Sequence, residues 1–177
     1  CYRAYDRLST GLKKDFDFSL EKKIIAILPG SRKSEIVYHD KALVEFIKFY
    51  KEENPDTLIV LALNKESDLQ GGLKEISKEI EVVFANTQNV LAACDLAIVA
   101  SGTATLEAAI LSKPMVVIYK SNFFSNFILS NFFLKTKFIS LPNILSQEKI
   151  VFELRQNQVT GREIYKKKII TFKKIND

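Results

Sequence analysis

The chain predicts an α/β fold, a Rossmann-like doubly wound parallel sheet, on three observations. Short apolar runs alternate with stretches of helical period from residue 22 to residue 120. The runs IIAIL, LIVLAL, LAIVA and MVVIY are apolar throughout rather than at every second position, as strands covered on both faces must be. Small, hydroxyl-bearing turns, Pro29-Gly30-Ser31 and Ser101-Gly102-Thr103, follow two of those runs. Alternating strands and right-handed helical crossovers build a doubly wound sheet, and such sheets bind ligands beyond the strands' carboxyl ends, where the strand order reverses.

Each element follows from its own residues. KKIIAILPG reads as a buried strand ending in a turn. SEIVYHDKALVEFIKFYKEEN sets Ile36, Leu43, Val44, Phe46 and Ile47 at helical spacing, with Ser34 as the expected cap. DTLIVLALN is a strand, and KESDLQGGLKEISKEI a polar helix broken at Gly71-Gly72. EVVFA, DLAIVAS and PMVVIYK are further strands, separated by the helices NTQNVLAAC and TATLEAAILS. The sheet is expected to end near Lys120. Residues 1–20 are weakly patterned and read as a connector, 21–145 as the Rossmann-like domain, and 146–177 as a C-terminal helical tail.

Composition narrows the function classes. The 177 residues suffice for one domain with a real core. A net charge of +5 suits phosphorylated ligands or an anionic surface and is too small to argue for nucleic acid. Two cysteines without CxxC spacing and a single histidine argue against a Cys/His metal site, a disulfide framework or a Ser-His-Asp triad. A reducing, cytoplasmic setting is the expectation. The start at Cys1, with no signal-peptide pattern, suggests a piece of a longer protein.

Three stretches carry candidate chemistry. At Pro29-Gly30-Ser31-Arg32, Gly30 permits a tight turn, Ser31 offers a hydroxyl and Arg32 a charged fork for phosphate or carboxylate; an ordinary strand-to-helix turn with a solvated Arg reads equally well. Ser101, Gly102 and Thr103 open a helix whose unpaired N–H groups and dipole suit a diphosphate, with Glu107 one turn on to accept from ribose hydroxyls. The same residues are also a capping signature, and neither GxGxxG nor GxxxxGK[ST] occurs. Residues 121–138, SNFFSNFILSNFFLKTKF, hold six of the thirteen Phe, and no acidic residue lies between Glu107 and Glu148. Phe123, Phe124, Phe127, Lys135 and Lys137 are candidates for an interfacial membrane or acyl-chain contact, the competing reading being a helix buried against another domain or subunit. The run is too short and polar to span a bilayer. His39 reads as a surface residue, Cys94 as a small packed hydrophobe, and the tail GREIYKKKIITFKKIND as a solvated basic helix face before a lipid contact.

LPGSR at 28–32, ASGTATLEAAILSKPMVVIYK at 100–120 and SLPNIL at 140–145 together resemble the carboxyl-terminal half of the lipid-A-disaccharide synthases, over roughly residues 22–156. These are glycosyltransferases of the two-domain GT-B architecture. The resemblance implies an inverting transfer joining UDP-2,3-diacylglucosamine to 2,3-diacylglucosamine 1-phosphate, with lipid A disaccharide 1-phosphate and UDP as products. It implies no cofactor and no metal, so protein donors must stabilise the leaving diphosphate. It makes Arg32 and Asn143 the catalytic candidates and places UDP on Gly30, Ser31, Arg32, Ser101, Gly102, Thr103 and Glu107. It implies peripheral contact with the inner face of the cytoplasmic membrane, no nucleic acid, and leaves homo-oligomerisation open. The family's amino-terminal half, which carries acceptor recognition, has no counterpart in these residues, so the chain is expected to be inactive alone. Ser146-Gln147-Glu148-Lys149 stands where relatives commonly read AGRE. The alternatives are another GT-B UDP-sugar enzyme, a UDP-sugar epimerase, or a non-catalytic nucleotide-binding module.

Overall fold

A computed structural model describes residues 22–121 and 137–176, with side chains through residue 171. Six parallel strands form one sheet in the order β3-β2-β1-β4-β5-β6. They are β1 (Ile24–Leu28), β2 (Leu58–Leu63), β3 (Glu81–Phe84), β4 (Leu96–Ala100), β5 (Met115–Tyr119) and β6 (Phe152–Arg155). The helices are α1 (Lys33–Glu53), α2 (Gly71–Ile76), α3 (Thr87–Ala93), α4 (Thr103–Ile110), α5 (Leu141–Ser146) and α6 (Gly161–Asn176). The strand order reverses between β1 and β4, which pair in register from Ile25↔Leu96 to Leu28↔Val99.

The alternation of side chains along each strand splits the core into two layers. Ile25, Ile27, Leu61 and Ile98 face Leu43, Phe46 and Ile47 of α1. Ile24, Ala26, Ala97 and Val99 face Val90 and Leu91 of α3 and Ala108 of α4. With both faces covered, every position of β1 and β4 is worth making apolar, at about 1.5–3 kcal/mol per large side chain buried.

Several expectations are corrected by the fold. The sheet does not end near Lys120: β6 lies in the stretch expected to be a helical tail and pairs with β5 from Val116↔Phe152 to Tyr119↔Arg155. Its sequence FELR carries two charges, and only Leu154 is buried, so it lacked the apolar signal of a central strand. Ser34 does not cap α1; Arg32 holds the N-cap position, and the Glu35 carboxylate accepts the N–H groups of Ser31 and Arg32. The polar stretch does break before Gly71, where Asp40 of α1 accepts the N–H groups of Gly72 and Leu73 at 3.0 and 2.8 Å. His39 is not a surface residue but is 1% exposed. Cys94 is buried, as expected of a small hydrophobe.

The basic C-terminal helix is docked rather than wholly solvated. Ile164 and Lys168 of α6 are buried, and Lys168 Nζ lies 4.1 Å from the Tyr50 ring centroid on α1. Arg162 and Lys166 remain exposed. A Cβ on Gly161 would stand 2.5 Å from the backbone nitrogen of Phe46, so glycine permits this close helix approach.

Candidate functional site

Because β1 and β4 are neighbours, the turns that leave their carboxyl ends flank one crevice at the reversal of strand order. The sequence-predicted turns 29–32 and 101–103 are therefore brought together, although some seventy residues separate them.

In the first turn Gly30 has φ 131°, a region that glycine tolerates and side chains rarely do. A Cβ there would meet Glu35 Oε2 at 2.6 Å. The same carboxylate takes the N–H of Ser31 at 3.1 Å and of Arg32 at 3.4 Å, so these backbone donors are engaged within the turn. The Arg32 side chain is 81% exposed, with Nη1 3.7 Å from Glu35 Oε1. Its fork is the part of this turn able to meet an anion.

In the second turn both donors of Ser101 are engaged: N–H to the Ile118 carbonyl at 2.9 Å, and Oγ to the Ile139 carbonyl at 2.8 Å. Thr105 donates N–H and Oγ1 to the Gly102 carbonyl. No hydrogen bond among the described residues uses the N–H of Gly102 or Thr103, which head α4. Both residues are exposed, and the space beside the Gly102 Cα is open to 4 Å. Glu107, half-buried, stands one turn further along α4.

The SLPN stretch forms α5 and is held by a network that the sequence did not reveal. Asn143 is 0% exposed. Its Nδ2 donates to the Val151 carbonyl at 3.0 Å and to Glu153 Oε1 at 2.9 Å. Its Oδ1 accepts the N–H groups of Ile150 and Val151, both at 2.9 Å. That fills all four hydrogen-bonding positions of an amide side chain. Glu153 also accepts from the N–H of Ile139, the N–H and Oγ of Ser140, and Arg155 Nη2. Burial opposes ionisation of Glu153, but the bonds from Arg155, Ser140 and Asn143 outweigh it and hold its carboxyl below the ordinary range. The available signal was the Glu153/Arg155 pair at i, i+2, which shares one side of a strand.

Of the membrane candidates, Phe123, Phe124, Phe127 and Lys135 lie outside the described residues, and Lys137 is exposed. Ile110 on α4 and Leu145 on α5 are 74% and 68% exposed, and these two helices pack on each other. No described helix is long and apolar enough to cross a membrane. Among the described residues no group of three or more His, Cys, Asp or Glu could hold a metal.

Comparison with known proteins gives a consistent picture. The family model described as lipid-A-disaccharide synthetase matches residues 6–176. The lipid-A-disaccharide synthase of Vibrio parahaemolyticus is 36% identical over 150 residues, covering 82% of this chain and 39% of that protein. That of Cellvibrio japonicus is 39% identical over 142 residues, covering 78% of this chain and 37% of its own length. The chain thus spans well under half of the curated relatives it matches. Among solved structures, E. coli ADP-heptose LPS heptosyltransferase II superposes with a TM-score of 0.67 at 14% identity, over 97% of this chain and 53% of that one. UDP-GlcNAc 2-epimerase from Neisseria meningitidis gives a TM-score of 0.51 at 13% identity, over 97% of this chain and 50% of that one. At such identities these two likenesses concern the fold alone.

Proposed function

The chain belongs to the lipid-A-disaccharide synthase family, and from that premise we propose that it is the part of such an enzyme that binds the UDP-sugar donor. The whole enzyme would join UDP-2,3-diacylglucosamine to 2,3-diacylglucosamine 1-phosphate. The acceptor hydroxyl would attack the anomeric carbon from the face opposite UDP and give up its proton to a base, while the bond to the β-phosphate oxygen breaks with its electron pair passing to UDP.

The observation that carries this reading is the juxtaposition, across the β1–β4 crevice, of the exposed Arg32 fork with the uncommitted N–H groups of Gly102 and Thr103. A helix N-terminus and a guanidinium that meet one diphosphate would stabilise the negative charge that grows on it as it departs. Glu107, one turn along α4, would accept from ribose hydroxyls. Gly30 shapes the first turn, while Ser31 and Ser101 support the two turns through the bonds described above. Asn143 acts through position rather than contact: its saturated amide holds α5, and Ser101 Oγ ties that segment to the head of α4.

Exposed apolar residues and lysines support a peripheral membrane role. Ile110 on α4 and Leu145 on α5 are exposed apolar side chains on two helices that pack together, and Lys120, Lys135 and Lys137 accompany the Phe-rich residues 121–138. A membrane face would suit a diacylated donor and acceptor.

The test is an NMR titration of this chain with UDP, comparing wild type with Arg32→Ala and Glu107→Ala. Shifts centred on Gly30–Arg32 and Gly102–Glu107, weakened in both variants, are the expected result. Shifts elsewhere, or affinities unchanged in both variants, would remove the donor-site reading.

A further inference from the structure

The chain's one histidine sits in α1 with both ring nitrogens engaged. His39 Nδ1 lies 2.7 Å from the Pro29 carbonyl, and Nε2 lies 3.0 Å from the backbone nitrogen of Lys120. A carbonyl can only accept and a backbone N–H can only donate. The partners therefore dictate a neutral imidazole with its hydrogen on Nδ1.

The two partners belong to distant strands. Pro29 follows β1 and opens the turn that presents Gly30 and Arg32, whereas Lys120 follows β5. In the sheet, β4 lies between β1 and β5, so the ends being joined are two strand spacings apart, roughly 10 Å. The imidazole and its two bonds join the chain leaving β1 to the chain leaving β5, the two strands that flank β4, after which Ser101 and the head of α4 begin.

We propose that His39 is a positioning residue for the nucleotide site, its neutral ring clamping the Pro29–Arg32 turn to the end of β5 across the mouth of the crevice. This rests on the donor-site reading above. The clamp sets how far Arg32 stands from the N–H groups of Gly102 and Thr103, and thereby whether one diphosphate can meet both. Protonation at Nε2 would set two donors against each other at Lys120 and open the clamp.

Burial pushes the ring's pKa below its ordinary 6.5, and the nearby Lys120 charge adds to this; the Pro29 carbonyl and the Glu35 carboxylate oppose it. With the folded-state pKa depressed, the unfolded chain binds more protons between the two values. The clamp's contribution is therefore complete above pH 6.5 and is lost as pH falls through the folded-state pKa.

The test uses this chain with UDP as probe and two substitutions. Because there is one histidine, its ring nitrogens can be read directly by long-range proton–nitrogen NMR. The expected spectrum is that of the Nδ1–H tautomer, with a slowly exchanging Lys120 amide. His39→Leu should weaken UDP binding about five- to tenfold at pH 7.5, consistent with the loss of two hydrogen bonds behind the turn. His39→Gln carries a donor and an acceptor on one side chain and should restore most of that affinity. The phosphate of UDP titrates alike for every variant, so the readout is the difference between wild type and His39→Gln. Wild-type affinity should fall more steeply as pH drops through the ring's lowered folded-state pKa. Parallel pH profiles for wild type and His39→Gln, or wild-type affinity in a folded His39→Leu, would overturn the proposal, as would the Nε2–H tautomer. Absence of UDP binding by the wild type would overturn the donor-site reading and the clamp's role toward ligand. The tautomer and the Lys120 amide would still decide whether the clamp itself exists.

Discussion

Replacing Asn143 with Ala separates a residue that holds the site from one that touches its ligand. The substitution removes four hydrogen bonds, to Val151 O, Glu153 Oε1, Ile150 N and Val151 N. At about 1 kcal/mol net each the gross loss is about 4 kcal/mol. Ile150 is exposed and Val151 half-buried, so water regains part of this, and Glu153 keeps its bonds to Ser140 and Arg155. The expected destabilisation is about 3 kcal/mol, or a fall of about 6–12 °C in Tm for a chain of this size. Urea unfolding followed by circular dichroism gives the stability, and a UDP titration on the folded baseline gives the affinity. Affinity should fall only modestly, because the amide has no position left for a ligand. A loss of stability below about 1 kcal/mol combined with abolished UDP binding would refute the reasoning.

Arg32→Ala should do the reverse. The side chain is 81% exposed, so stability should change by no more than about 0.5 kcal/mol. UDP binding should weaken by about tenfold or more, the scale of one charge-assisted bond, as isothermal calorimetry would measure. Gly161→Ala should destabilise by about 1–3 kcal/mol in urea unfolding, because the new methyl group would press on the α1 backbone at Phe46. Glu153 stabilises the folded chain fully above its ordinary pKa of 4.5, and this is lost as pH falls through the lower folded-state value. The stability gap between wild type and Glu153→Gln should accordingly close in acid; a gap constant from pH 7 to pH 3 would contradict the network drawn around Glu153.

The first five strands and the two turns that follow β1 and β4 were legible because their signals are local. IIAIL, LIVLAL, EVVF, LAIVA and MVVIY each announce a strand through their own residues, and Gly30 and Gly102 mark turns wherever the chain later goes. Motif spacing carried the family as well. Two other features had no such local mark. FELR looks like surface sequence, yet it becomes β6 because β5 offers an open edge and one buried Leu154 suffices to seat it. His39 looks solvated within a charged helical stretch, yet the α1 crossover delivers it between partners 10 and 81 residues away.

The same division runs through the site. Residue type and turn chemistry pointed to Ser31, Ser101, Gly102 and Thr103 as phosphate binders, and the family resemblance added Asn143 as a catalytic candidate. Only the tertiary structure decided which donors remain available. Ser31 gives its N–H to Glu35, Ser101 both its donors to Ile118 and Ile139, and Asn143 its whole amide to residues 150–153. Among the described residues no hydrogen bond takes the N–H of Gly102 or Thr103, and these two residues and the Arg32 fork are left exposed. The physical reason is that a polar group's capacity is finite and buried groups must be satisfied: its role depends on which distant carbonyl or carboxylate the fold brings within about 3 Å, and no local pattern encodes that.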